Sequence, residues 1–483
     1  MERVVLNALE TNAAWPPDIC AFGEKDIVFR EADPPWSNSC YTIYCEHLTA
    51  VRDRRYSSQM IIRARMVVTM DGPPIENGAV AVSGNRIVDV GRFDDIKTRN
   101  AGNAVDLGEQ VLLPGLINAH CHLDYTCLRG KIPPQKSFTD WIRVINAQKS
   151  ELSPKNYLTS INDGFEEAKR FGTTAIANLT AFPELISQVQ PPIHTLWFAE
   201  LIDIRAPERA NELVDAAIQS LGRARTELVL SEAEGGAPSG LAPHALFTAS
   251  KDLFRRCEEI AQREHILLTT HLAESRGEME MFRDASGPLY EFMQSIGRPM
   301  DDCGSKTPLE DFLDLIGSGG SPNRRRTIEV NRPYPLWIVA HLNELTERDF
   351  ESLERSNSKF HIVHCPRSHN YFGHSPFAFA RLRSLAFNIC LGTDSLASNE
   401  SLSLFSEMQA FQKNFPRVSP EEILRMATVN SARALQYENA LGQIRPGFGA
   451  DLIAVPCSGS TDIFEQILAF DAPVSWSMVN GNM

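Results

Sequence analysis

Short apolar runs recur along this chain, and between residues 111 and 394 they alternate with longer stretches of helical period. The runs Val111–His122, Thr173–Leu179, Ile193–Glu200, Ala237–His244, His265–His271, Leu336–His341, Lys359–His364 and Ala386–Asp394 lack strict apolar–polar alternation. That texture predicts strands buried on both faces, as in a parallel sheet covered by helices. The segments between them read as helices. In Ser153–Phe171 the residues Ile161, Phe165 and Ala168 fall at i, i+4 and i+7, behind a Ser153-Pro154 start signal. Leu246–Glu264, Thr346–Ser356 and Ser401–Phe415 read the same way. Eight strands alternating with helices predict an α/β fold, the (β/α)8 TIM barrel.

The flanks have a different texture. Met60–Thr69, Gly78–Ser83 and Arg86–Val90 are β-rich runs separated by Gly, Pro and Asn, and Ala450–Val455 matches them at the far end. The expectation is a small β-sandwich domain formed from both flanks, over residues 61–113 and 440–483, with the barrel at 114–439. Residues 1–60 carry Pro16-Pro17, Pro34-Pro35 and three cysteines but little periodicity. They read as an N-terminal extension of unknown role.

Composition excludes more than it identifies. With 483 residues, 43% hydrophobic and 22% charged, the chain has the profile of an ordinary soluble globular protein. A balance of 47 basic against 61 acidic residues leaves a net charge of −14, so nucleic acid is not an expected partner. The dense basic cluster Arg324-Arg325-Arg326, beside Gly317–Pro322, reads as a solvated loop. No run approaches the roughly 18 apolar residues of a membrane span, so no membrane is expected. The first residues lack the apolar core of a secretory signal. Ten cysteines without a C-x-x-C pair argue against a disulfide framework and a zinc ribbon, and for a cytoplasmic chain with reduced thiols. Neither glycine-rich phosphate-binding motif is present.

The chemistry sits where the apolar runs end. The first barrel strand closes with His120-Cys121-His122. Residues i and i+2 of a strand share a face, so both imidazoles would enter the barrel mouth with Cys121 turned away. Later strands end at His244, His271, His341, His364 and Asp394. Barrel active sites are built at that rim. His194, His265, His361 and His374 read as ordinary hydrogen-bonded residues. An HxH pair with histidines closing later strands and an aspartate closing the last predicts a metal site.

Four stretches then carry a resemblance. LLPGLINAHCHLD, THLAES, VAHLNELT and LGTDSLASNESLSLFSEM occur in this order, and over residues 60–455 the chain resembles the amidohydrolase superfamily. It is similar to the mononuclear branch holding the S-adenosylhomocysteine and methylthioadenosine deaminases, the triazine hydrolases and guanine deaminase. HCPRSHNYF with GTDSLASN looks closest to aminodeoxyfutalosine deaminase-like members. The resemblance implies that His120, His122, His271 and Asp394 ligate one divalent metal ion, with zinc expected first and iron(II) compatible. It implies that Glu274 shuttles protons and that His341 orients the water or the tetrahedral centre. His244, in GLAPHALFT, matches a substrate-contacting motif of the branch. Glu200, Trp141, Arg367 and His369 are further substrate-contact candidates at strand ends and rim loops, and Arg129 lies on such a loop too. Leu246-Phe247 departs from the branch's Pro-Tyr, and Gly373-His374 alters a rim loop, which leaves the substrate open.

The strand candidates Ile193–Glu200 and Ala237–His244 contain no lysine that could bridge two metals, which favours one metal and deamination over cyclic-amide hydrolysis. A divalent metal lowers the pKa of bound water from roughly 15.7 to about 7, giving hydroxide that can attack an electron-poor C–N carbon. Asp394 would take the water's proton, and Glu274 would protonate the ring nitrogen and leaving amine. The expected function is hydrolytic deamination of an aminopurine-like nucleoside or heterocycle, a small-molecule substrate. An amide, chloro- or alkylamino-hydrolase, or a barrel serving only as a scaffold, are the alternatives. A homodimer is a family-level expectation.

Overall fold

The computed structural model describes residues 59–228, 239–317, 337–356, 359–458 and 462–483. Most of the N-terminal extension, the Arg324–Arg326 cluster and the first two residues of the expected strand Ala237–His244 lie outside them.

Eight strands form one parallel sheet in sequence order. They are β6 (Leu116–Cys121), β7 (Thr173–Thr180), β8 (His194–Leu201), β9 (Ser239–Pro243), β10 (Leu267–Leu272), β11 (Trp337–His341), β12 (His361–His364) and β13 (Asn388–Leu391). Helices separate them, and the circle is nearly closed by a parallel bridge between Cys121 and Asp394. Each strand overlaps one of the expected apolar runs. The sheet's side chains are buried almost throughout, which is why those runs show no alternation.

The remaining strands form a second, seven-stranded sheet drawn from both sides of the barrel. It contains β1 (Met60–Val67), β2 (Ile75–Ser83), β3 (Arg86–Arg92), β4 (Asn103–Asp106), β5 (Gln110–Pro114), β14 (Leu452–Pro456) and β15 (Trp476–Met478). β5 pairs with both β1 and β14 and so ties the two chain ends together. The run Val111–His122, expected as one strand, is two. The chain leaves the second sheet at Pro114, passes Gly115 and enters the barrel at Leu116. A Cβ on Gly115 would collide with the Thr174 side chain, so the crossing needs glycine. An apolar run buried in both sheets has no periodicity to mark the change.

The helix expected at Ser153–Phe171 runs from Pro154 to Arg170. The Ser153 hydroxyl accepts from the Asn156 amide (3.3 Å), and the Ser153 amide donates to Asn156 Oδ1 (2.9 Å). It buries Ile161, Phe165 and Ala168, with Phe165 edge-on to Trp197 at 5.8 Å. Burial of a side chain the size of Phe165 contributes about 1.5–3 kcal/mol. The helix expected from Leu246 begins only at Lys251. Asp203 holds both the amide and hydroxyl of Ser250 at 2.6 Å, and the Ser250 hydroxyl caps Leu253, which fixes the later start.

One ion pair locks the sheets together at the barrel's lower end. His194, first residue of β8, lies 2.9 Å from Asp451, beside β14. Burial pulls the imidazole down, but the Asp451 hydrogen bond and charge outweigh it, leaving its pKa above 6.5. The stability this pair adds is therefore complete below pH 6.5 and lost as pH rises through the raised value. The Tm advantage of wild type over His194→Gln should shrink as pH is raised from 6.5 through the raised value. An advantage constant across a pH series of thermal melts would refute the linkage.

Candidate metal centre

The upper ends of β6, β10 and β13 bring together His120, His122, His271 and Asp394, all buried. Nε2 of His122 lies 3.2 Å from Nε2 of His271. Oδ1 of Asp394 lies 3.9 Å from Nε2 of His120 and 4.0 Å from Nε2 of His122. Ligand atoms in a tetrahedral zinc shell, with bonds of about 2.0–2.1 Å, stand roughly 3.3 Å apart. Neither ring nitrogen of fully buried His120 has a hydrogen-bond partner among the described residues. A buried polar group left without a partner is costly, and a cation would satisfy it. Three imidazoles and a carboxylate converging in this way fit a divalent metal ion. Cys121, between the two histidines, points the other way, towards Asn178.

Surrounding groups fix which atoms face inward. His271 donates from Nδ1 to the His244 carbonyl at 3.0 Å, which leaves the Nε2 lone pair for the centre. Oδ2 of Asp394 accepts from the Ser368 hydroxyl at 2.6 Å and the Ser398 hydroxyl at 3.1 Å, leaving Oδ1 towards the histidines. Asp394 and His341 both sit in the left-handed region, at φ 56° and 73°. Such backbone costs about 1–3 kcal/mol per residue and persists where surrounding contacts over-determine it.

Glu274 follows β10 and lies 3.8 Å from Nε2 of His341. Its main chain is clamped: the Glu274 amide donates to Glu278 Oε2 (2.8 Å), and Asn343 Nδ2 donates to the Glu274 carbonyl (3.1 Å). Burial, then the nearby Asp394 and Glu278, push the Glu274 carboxyl well above its usual range, which favours its protonated form. Burial also drives His120, His122, His244 and His341 well below 6.5, which keeps them neutral. Neutral imidazole is the form that can ligate a metal.

His122, His271, Glu274, His341 and Asp394 line the floor of a cleft with roughly 1150 Å³ of open space, and His120 lies buried behind them. Of the expected substrate contacts, Trp141, Glu200 and His244 line it. Arg367 and His369 do not. Arg367 pairs with Glu400 at 2.9 Å in a separate surface hollow. His369 is buried one layer back, its Nδ1 3.0 Å from Asn343 Oδ1, where it braces the residue that holds the Glu274 carbonyl. Both follow β12, and the short helix Pro366–Phe372 turns their side chains away from the cleft. Arg129 pairs with Glu167 outside it. Sequence reasoning missed Tyr125, Ile145, Lys149, Phe247, Phe292 and Met293 in the lining. Helical spacing of Trp141, Ile145 and Lys149 on one face of helix Phe138–Ser150 could have found two of them. Phe292 and Met293 stand on helix Gly287–Ser295, where only the folded chain reveals their role.

Comparison with known proteins adds to this geometry. The amidohydrolase family model matches residues 111–483. A 5-methylthioadenosine/S-adenosylhomocysteine deaminase of Syntrophobacter fumaroxidans is 28% identical over 408 residues, spanning 81% of this chain and 83% of that one. Helicobacter pylori aminofutalosine deaminase, solved in complex with methylthio-coformycin, superposes with a TM-score of 0.72 at 21% identity, covering 88% of this chain and 99% of that one. An adenosine deaminase from Xanthomonas campestris with bound zinc gives 0.69 at 22% identity, covering 88% and 92%.

If the four residues hold a metal, stripping it with a chelator should lower Tm and added zinc should restore it. A ligand at one hundred times its Kd stabilises by about 2.7 kcal/mol. His271→Ala should abolish the response to zinc. A variant still stabilised by zinc as strongly as wild type would place the ion elsewhere.

Proposed function

The chain belongs to the amidohydrolase family, and on that footing we propose that it deaminates an aminopurine nucleoside-like substrate by metal-dependent hydrolysis. The observation that carries this is the placement of Glu274, whose burial favours its protonated form, beside His341 and next to the histidine–aspartate cluster at the floor of a largely apolar cleft. The deaminase names of the relatives support the same reaction class.

His120, His122, His271 and Asp394 would hold one divalent ion per chain, zinc first and iron(II) second. When bound, it would supply Lewis acidity and a water of lowered pKa. The residues themselves do the rest. Glu274 delivers its proton to the ring nitrogen next to the attacked carbon, which makes that carbon more electrophilic. Asp394 Oδ1 accepts a proton from the attacking water. The hydroxyl proton of the tetrahedral centre passes through Glu274 to the amine, the C–N bond breaks to release ammonia, and the proton on Asp394 restores Glu274. His341 Nε2 faces the same floor and can hydrogen-bond to oxygen on the tetrahedral carbon. Trp141, Phe247 and Phe292 offer flat or apolar surface to a purine and exclude bulk water. His244, which lines the cleft, is a polar candidate for the sugar.

The sheet drawn from both chain ends supports reading residues 61–113 and 440–483 as one composite β domain of sandwich type, with the barrel at 114–439. Seven cysteines unpaired among the described residues support a cytoplasmic setting, and a homodimer is proposed from the family alone. No helix among the described residues is long and apolar enough to cross a membrane.

The test is metal analysis joined to an ammonia-release screen over adenosine-, guanine- and futalosine-type compounds. Glu274→Gln should lower kcat by about 10²–10⁴-fold, the usual contribution of a positioned acid–base group. Fully metal-loaded protein releasing no ammonia from any of them would exclude deamination and turn attention to amide or chloro-substituted substrates.

A further inference from the structure

Glu200 ends up in an unusual place for a substrate contact. Its side chain is only 3% exposed, and Oε1 lies 3.8 Å from Nδ1 of His122 and 4.0 Å from Nε2 of His244. The other nitrogen of the same His122 ring, Nε2, is the atom turned towards His271 and Asp394.

The two nitrogens of a neutral imidazole are not equivalent. One carries the proton and the other the lone pair, and the partner of the protonated nitrogen decides which is which. A ring that ligates through Nε2 must keep its proton on Nδ1. Two other members of the cluster have visible holders of this kind: the His244 carbonyl for His271, and two serine hydroxyls for Asp394. On the Nδ1 side of His122 the neighbouring acceptor is Glu200.

We propose that Glu200 is a positioning residue for the metal centre: its carboxylate, facing Nδ1 of His122 across 3.8 Å, favours the proton on that nitrogen and so presents the Nε2 lone pair to the metal. The inference rests on His122 being a ligand, as proposed above, and gives Glu200 a task other than binding substrate. Its position at the end of β8 suits that task, because a strand end fixes the carboxylate more tightly than a rim loop would. His244 supports the arrangement from the opposite side. Its Nδ1 meets the Thr248 hydroxyl at 2.6 Å, which anchors the ring against the carboxylate.

Zinc affinity measured by competition with a chromophoric chelator, alongside KM, tests this in wild type, Glu200→Ala and Glu200→Gln. Loss of such an outer partner weakens metal binding about 10–100-fold, and Glu200→Ala should show that loss. Glu200→Gln keeps an oxygen that can accept the Nδ1 proton and should recover most of the affinity. In the zinc-loaded Gln variant, an imidazole N–H proton resonance should shift while the melting temperature stays near that of wild type. This second measurement serves should the alanine variant not fold. Unchanged zinc affinity with a raised KM, or unchanged imidazole resonances, would overturn the inference and return Glu200 to substrate binding. Two zinc ions per wild-type chain falling to one in Glu200→Ala would also overturn it, making Glu200 a direct ligand. Wild-type protein that takes up no zinc would sink the metal centre itself, a different failure from unchanged affinity in the variants.

Discussion

Closure of the barrel and assembly of the metal centre are one event. The last strand reaches the first through the backbone of the proposed ligand residues: the amides of Thr393 and Asp394 both donate to the His120 carbonyl, at 3.0 and 3.2 Å. The approach is so close that a Cβ on Gly392 would stand 2.7 Å from that carbonyl oxygen. Only glycine lets the strands meet there. Asp394 then takes its left-handed backbone, and the turn aims its carboxylate across the closing seam at His120 and His122. A barrel that failed to close would lose the carboxylate proposed as its ligand, so fold and candidate site stand or fall together.

Burial does the second part of the work. The same enclosure that favours neutral histidines favours a protonated Glu274. Desolvation disfavours the charged form of each. Neutral imidazoles and a neutral carboxyl are what metal ligation and proton delivery require, and one dry floor provides both. The apolar wall of Trp141, Ile145 and Phe292 therefore contributes to the chemistry as well as to binding.

How much of this was legible in the sequence follows from the kind of signal each residue leaves. A histidine or aspartate that ends an apolar run is conspicuous, and the strand-end residues His120, His122, His271, His341 and Asp394 meet as expected. The split at Gly115 was not legible, since both sheets bury their strands and leave the same apolar run. Short strands such as Asn103–Asp106 and Trp476–Met478 are too brief to show a period. The placements of Arg367 and His369 away from this cleft share a cause. Both were read as rim residues because they follow a strand end, but the helix that starts at Pro366 decides where they point. Proximity in sequence to a barrel rim does not define the cleft. The far wall, from helices Phe138–Ser150 and Gly287–Ser295, depends on packing between segments far apart in the chain.

The least legible members are two buried acids that sit on neighbouring helices and touch none of the reacting atoms. Glu278 accepts the amides of Ala273 and Glu274 with its two oxygens, and so holds the loop after β10. Glu407 accepts from Asn399 at 2.6 Å and from the Arg367 amide at 2.9 Å, and Asn399 in turn donates to the Thr393 carbonyl at 2.8 Å, holding the loop after β13. Burial raises Glu278 to about 7 and Glu407 to about 8. An acid placed there at such a cost is explained by what it braces: one loop presents Glu274 and the other Asp394. In sequence each is merely a glutamate on a helix, indistinguishable from a solvated one. The two loops on which the proposed proton transfer and metal ligation depend are thus set by carboxylates whose role lies wholly in the packing behind the site, and there the reading of strand ends runs out.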